Sequence, residues 1–201
     1  MSRVSLSKSS LAKQNRNLRT YERYLPSLDL KRKQIMAERA KEVMACEATR
    51  REITVLRERV QEHLPMMANH EIELSDLVSV RAVRIGEQNL LGTRLPVLEE
   101  LEVERRDYGL FSMPHWVDTL VDALIEMMTL ETRLALHERR LIRFDEAVRK
   151  VTQRVNLFDK VLIPRARANI KTIKVYLSDA ERAAIVRSKI AKNKRQRETT
   201  I

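Results

Sequence analysis

The sequence predicts an all-α protein: a long antiparallel two-helix coiled coil formed by the N- and C-terminal helices, with a small insert expected to contain a β-hairpin. Three observations predict it. Apolar residues recur at heptad spacing near both ends of the 201-residue chain. All three glycines (Gly86, Gly92, Gly109) and three of the five prolines (Pro65, Pro96, Pro114) fall between residues 65 and 114. No glycine or proline interrupts Trp116 to Leu162. A bundle of shorter helices fits the stripes too, but would need turn signals every 20 to 30 residues or so. The expected divisions are an N-terminal helix over 1–64, a compact insert over 65–114, a C-terminal helix over 115–191 and a basic tail over 192–201.

In the first helix one seam position holds Leu11, Leu18, Leu25, Arg32, Arg39, Cys46, Ile53 and Val60. The other holds Gln14, Tyr21, Leu28, Ile35, Glu42, Thr49, Leu56 and His63. The stripe is real but carries polar members, so this helix needs a partner to cover it. Pro26 is an isolated interruption. In the insert, Val78, Val80 and Ala82, then Val83 and Ile85, alternate as a strand does. Gly86-Glu87-Gln88-Asn89 offers a turn, and Leu90 to Val97 resumes apolar character. Phe111, Met113 and Trp116 are expected to pack the hairpin onto the helices, an exposed partner-binding patch being the alternative. Ser112 is an available N-cap for the second helix, with Pro114 in its first turn.

The second helix is the cleaner one. Leu120, Ala123, Met127, Leu130, Leu134, His137, Leu141, Phe144, Val148, Val151, Val155, Phe158 and Leu162 alternate by three and four, with His137 the one polar member. Ala166, Ile170, Ile173, Leu177, Ala180 and Ala184 continue the seam. The consecutive spacings of four after Phe158 predict a stutter, which locally unwinds a coil. Pro164 lies inside that stutter, and a helix-interior proline costs about 3 kcal/mol, so a bend is expected at Pro164 and Arg165. Unbroken, the two helices would measure about 80 and 115 Å at 1.5 Å per residue. Folding them head to tail buries both seams and brings the two termini together.

The net charge of +11 is concentrated at those termini. Nine Lys/Arg within residues 1–33, Arg3 included, face only Glu22 and Asp29, and seven within 182–201 face only Glu198. Lys8, Lys13, Arg16, Arg19, Arg182, Arg187, Lys189 and Lys192 form the candidate basic tip, a surface suited to carboxylates or other anions. A basic segment followed by heptads is also a zipper-protein pattern. Here, however, the basic segment itself carries Leu11, Leu18, Tyr21 and Leu25, and aromatics for stacking on single strands are scarce. No nucleic acid partner is expected, and a scaffold whose basic termini bind nucleic acid or anionic surfaces is the alternative.

Catalytic chemistry is not legible. Gly86 is followed five residues later by Leu91, which is no phosphate-cradling loop. His63, His70, His115 and His137 lack metal-ligand spacing, so neither cofactor nor metal is expected. Cys46 reads as a small buried apolar residue and His137 as a core or edge residue. Glu58, Arg59 and Glu62, like Glu138, Arg139 and Arg140, have the spacing of solvated helix faces. With no apolar N-terminal signal stretch and a lone cysteine, a reducing cytoplasm is expected, and no uncharged run is long enough for direct membrane insertion.

Specific residues carry more. Arg154-Val155-Asn156, Val161-Leu162-Ile163-Pro164-Arg165, Asn169-Ile170, Ile173, Leu177, Glu181-Arg182, Arg187 and Lys189 together resemble the C-terminal helix of the D subunits of V-type and archaeal or bacterial A/V-type ATPases. Asn89, Gly92 and Pro96 are similar to that family's insert, Tyr108-Gly109-Leu110 with Pro114-His115-Trp116 to the start of its second helix, and Leu11 to Ile35 to its first helix. Pro26 and Ala166-Arg167 depart from the family pattern, which has an unbroken first helix and Leu-Glu at those places. The resemblance implies a non-catalytic rotor shaft on the axis of a hexamer of catalytic and non-catalytic subunits. It implies a small companion rotor subunit and a funnel-like adaptor on the membrane ion-translocating ring as further partners, and a cytoplasmic place peripheral to the cell membrane.

Overall fold

The computed structural model describes residues 5–68, 74, 76–106 and 113–198. Arg3, His70, Tyr108, Gly109, Leu110, Phe111 and the expected N-cap Ser112 lie outside the described residues. The elements run in the order α1 (Lys8–His63), a short 3-10 turn (Pro65–Ala68), β1 (Val78–Leu90), β2 (Thr93–Arg105), α2 (Trp116–Asn156), a π-helical segment (Leu157–Leu162) and α3 (Ile163–Glu198). Two long helical stretches and a two-stranded antiparallel insert are therefore present.

α1 begins where Ser7 can cap it: the Ser7 hydroxyl accepts the Ser10 backbone N–H at 3.1 Å. It continues through Pro26 as one helix, so the proline neither starts it late nor ends it. The helix stops at His63, one residue before the Leu64-Pro65 pair, because a proline disfavours helical backbone at the residue preceding it. α2 starts just after Pro114, whose carbonyl accepts the Val117 N–H at 3.0 Å. α3 extends through Glu198, into residues read from the sequence as a tail.

The hairpin turn is not at Gly86–Asn89. Those residues lie inside β1, Gly86 opposite Val97 and Asn89 opposite Arg94, and the chain reverses through Leu91-Gly92 between the Leu90–Thr93 pair. A type I′ turn, one of the two-residue loops whose twist matches its strands, needs positive φ at both central positions. Leu91 at 53° and Gly92 at 80° supply it, the leucine at a cost of about 1 to 2 kcal/mol. The alternation that breaks between Ala82 and Val83 in the sequence has a cause. A register shift between Val80 and Ala82 leaves Arg81 as a bulge in β1 that returns Val83 and Ile85 to the face of Val80, and the second shift, between Arg84 and Ile85, leaves its extra residue, Glu99, in β2.

The chain forms two compact units, one of residues 1–31 with 151–201 and one of residues 32–150. In the second, Leu64, Leu77, Val78, Trp116, Val117, Leu120 and Val121 form a buried core where the hairpin base meets the helix ends, with Met113 packed against it. Met113 and Trp116 thus take the packing role instead of forming an exposed patch. At roughly 1.5 to 3 kcal/mol per large apolar side chain buried, this core anchors the insert. Leu95, near the hairpin tip, is 0% exposed. In the first unit the described buried residues are Val151, Val155, Ile163, Ala166, Ile170 and Ile173.

Candidate functional site

Chemistry-bearing side chains lie along the helix pairs and not in a pocket. Among the described residues no group of His, Cys, Asp and Glu is arranged to hold a metal, and no helix is long and apolar enough to cross a membrane.

In the unit of residues 32–150, α1 and α2 run antiparallel. Arg50 pairs with Glu138 at 2.8 Å and Arg57 with Glu131 at 3.6 Å, each partner displaced by one heptad in opposite directions. Arg39–Asp145 at 2.5 Å and Arg59–Glu126 at 3.9 Å extend the ladder. Every cation in it belongs to α1 and every anion to α2. The Asp145 hydrogen bond, then its charge, raises the Arg39 pKa, and the Glu138 hydrogen bond is the main cause of the same rise at Arg50. Both guanidinium groups stay charged at any pH the fold meets. These pairs are exposed, so each contributes only about 0 to 1 kcal/mol, and their value is in direction and register.

Between the ladder rows, Ile53, Leu56 and Leu130 are buried, with Val60, Ala123, Met127 and Leu134 against them. Ile35, Cys46, Thr49 and Phe144 are buried as well, while Leu141 and Val148 are half-buried. Cys46 is a free buried thiol. The two polar seam members, Glu42 and His137, meet. The Glu42 carboxylate accepts from His137 Nδ1 at 2.6 Å and lies 3.3 Å from an Arg140 terminal guanidine nitrogen. The side chain of Glu42 is only 8% exposed, against 21% for His137 and 24% for Arg140, and the Arg140 Nε has no hydrogen-bond partner. A carboxylate buried this far is tolerable only with its partners, so the cluster ties one place on α1 to one place on α2. The sequence shows both polar seam positions but not that they face each other.

Along the same pair, a shallow groove crossed by the Arg50–Glu138 and Arg57–Glu131 bridges adjoins a more apolar one lined by Val60, Met67, Leu120 and Met127, with Arg57 common to both.

In the unit of residues 1–31 and 151–201, Lys8–Glu181 at 3.6 Å and Glu22–Arg167 at 2.7 Å pair α1 with α3, two heptads apart on each helix. Arg167, where the family pattern has Glu, is thus matched by Glu22, and Ala166 is buried. Tyr21 meets Phe158 edge-on, ring centroids 5.5 Å apart. Leu11, Leu18, Leu25, Leu28, Leu162 and Leu177 are half-buried, and Ile163 takes the buried place next to Leu162. Lys8, Lys13, Arg16, Arg19, Arg182, Arg187, Lys189 and Lys192 are exposed. So are Ile185, Val186 and Ile190, the last at 63%, and no described residue beyond Ile173 is buried. Pro164 stands in the first turn of α3, directly after the π-helical segment.

Comparison with known proteins agrees with this arrangement. Residues 10–193 match the family model for ATP synthase D subunits. Among V-type ATP synthase D subunits, that of Borreliella burgdorferi is 33% identical over 193 residues, covering 96% of this chain and 95% of that protein. Those of Chlamydia trachomatis and Chlamydia caviae are 27% and 29% identical, each over 97% of this chain. With the family model matched over nearly its whole length and a relative 33% identical, this chain belongs to the family of ATP synthase D subunits.

Proposed function

We propose that this chain is the non-catalytic central shaft of a rotary V/A-type ATPase, transmitting torque between the ATP-hydrolysing or ATP-synthesising hexamer and the membrane ion-translocating ring. In this reading α1 winds with α2 and α3 as one antiparallel coiled coil, and the basic terminal end stands among the catalytic and non-catalytic subunits. The observation that carries it is that terminal end: eight exposed cations beside uncovered Ile185, Val186 and Ile190. A helix end left this bare is finished by a surrounding partner. Turning among several similar subunits favours weak, exchangeable charge contacts over a fixed apolar interface. The adjoining grooves around Arg57 offer a companion rotor subunit an apolar strip bounded by charges. The funnel-like adaptor is assigned to the insert end, which places the shaft on the cytoplasmic side, peripheral to the membrane.

The test is native purification followed by rotation assays. We expect recovery within a large ATPase complex. Neutralising the basic residues over 8–23 and 182–195 is expected to weaken assembly or torque, most at low salt, where the exposed charge contacts it removes are least screened. Unchanged assembly and torque at every ionic strength, or steeply salt-dependent DNA binding without ATPase recovery, would refute the proposal.

A further inference from the structure

The buried and half-buried seam positions from Leu120 to Val155 keep a three-four alternation, with Leu136 buried off the seam, and the fully buried positions resume it at Ile163, Ala166, Ile170 and Ile173. From Val155 to Ile163 is eight residues, one more than a heptad. The surplus residue is housed in Leu157–Leu162, where the closing bond runs from the Ile163 N–H to the Phe158 carbonyl, five residues back. Its position follows from Pro164, because in a regular α-helix the ring of Pro164 would strike the carbonyl four residues earlier, at Lys160. The wider turn moves that carbonyl aside. No residue of the six is buried, and Leu157 and Val161 are exposed. From α1, the Tyr21 ring meets Phe158 of this turn in a T-shaped contact.

We propose that Leu157–Leu162 is a torsional joint: a turn holding one residue more than the seam requires, pinned downstream by Pro164 and from the side by Tyr21, in which the helix yields to twist. A twist taken up in this turn disturbs only half-buried side chains, Phe158 against Tyr21 among them, whereas the same twist at Val151–Val155 or Ile163–Ile173 would strip buried side chains from their neighbours. Twisting strain therefore collects in the six residues. The use of the joint rests on the shaft reading; its mechanics belong to the chain alone.

Two measurements test it. Amide hydrogen exchange on the full-length chain is expected to be roughly tenfold faster at 158–164 than over 151–156 and 166–173. Deleting Lys160 together with Pro164→Ala, which returns Val155 to Ile163 to a plain heptad, is expected to bring that stretch to the level of its flanks. Pro164→Ala alone is expected to slow the exchange part of the way, so the experiment survives if the deletion does not fold. Equal protection of the turn and its flanks in the unaltered chain overturns the proposal. In the assembled ATPase with its rotor stalled, the angular fluctuations of a bead on the shaft are expected to narrow with the deletion while ATP hydrolysis persists, and unchanged fluctuations also overturn it. If the unaltered chain never enters an ATPase, the shaft reading fails, and the exchange experiment alone decides the joint.

Discussion

The helix pair of residues 32–150 and the helix pair of the chain ends are built on the same repeat, yet only the first is internally finished. Near the insert, both helices contribute buried residues, a hairpin is packed onto them, and a nearly buried carboxylate is matched by an imidazole and a guanidinium. Toward the chain ends, α1 contributes half-buried residues such as Leu11, Leu18, Tyr21 and Leu28 but no buried one, and burial on α3 stops at Ile173. Heptad spacing tells which residues can face a partner helix. Burial tells where one partner is enough.

That contrast can be broken at several points. The largest effect is expected for Phe144→Ala, which removes a ring 1% exposed and should cost about 3 to 5 kcal/mol, read as a lowered denaturation midpoint. Loss of less than about 1 kcal/mol would mean that the α1–α2 seam is not a packed core. Next comes Glu42→Leu, which strands Arg140 and His137 at a half-buried site. We expect a loss of about 1 to 3 kcal/mol, largely recovered when His137→Leu and Arg140→Leu are added. A triple variant as unstable as the single one would show that the carboxylate is not what His137 and Arg140 are there to meet.

Smaller effects are expected at the other end. Ile185→Ser with Ile190→Ser should leave the stability of the isolated chain within about 0.5 kcal/mol, because neither side chain is buried, while weakening assembly with the hexamer, measured by co-purification. A marked fall in the melting temperature of the isolated chain would mean that the terminal helices cover these residues themselves. Smallest of all is Lys8→Gln, where the 3.6 Å pair with Glu181 is between two exposed side chains. Thermal unfolding is expected to shift by well under 1 kcal/mol.

The long helices were legible because periodicity and the absence of breakers are properties of sequence. So was the packing role of Trp116, an aromatic beside a helix start. The hairpin turn was not, because Gly86 to Asn89 has turn composition while the actual reversal asks a leucine to adopt positive φ. The π turn was hidden by the half-apolar neighbourhood of Leu162, which lets a stutter be drawn where the chain inserts one residue. Read backward from Ile173, the alternation reaches Ile163 without a fault, and the surplus residue then stands out. The Glu42–His137 contact was half visible. Two polar residues on two seams could each have been read as tolerated defects, and only the antiparallel register makes them neighbours.

The division of charge in the ladder has a consequence during synthesis. Arg39, Arg50, Arg57 and Arg59 leave the ribosome well before Asp145, Glu138, Glu131 and Glu126. Two nascent chains on one messenger, each displaying only its first helix, therefore present like charges at the ladder positions, and like charges across a helix pair are unfavourable. At these positions, charge favours the mating of the first half with its own second half over its mating with another first half.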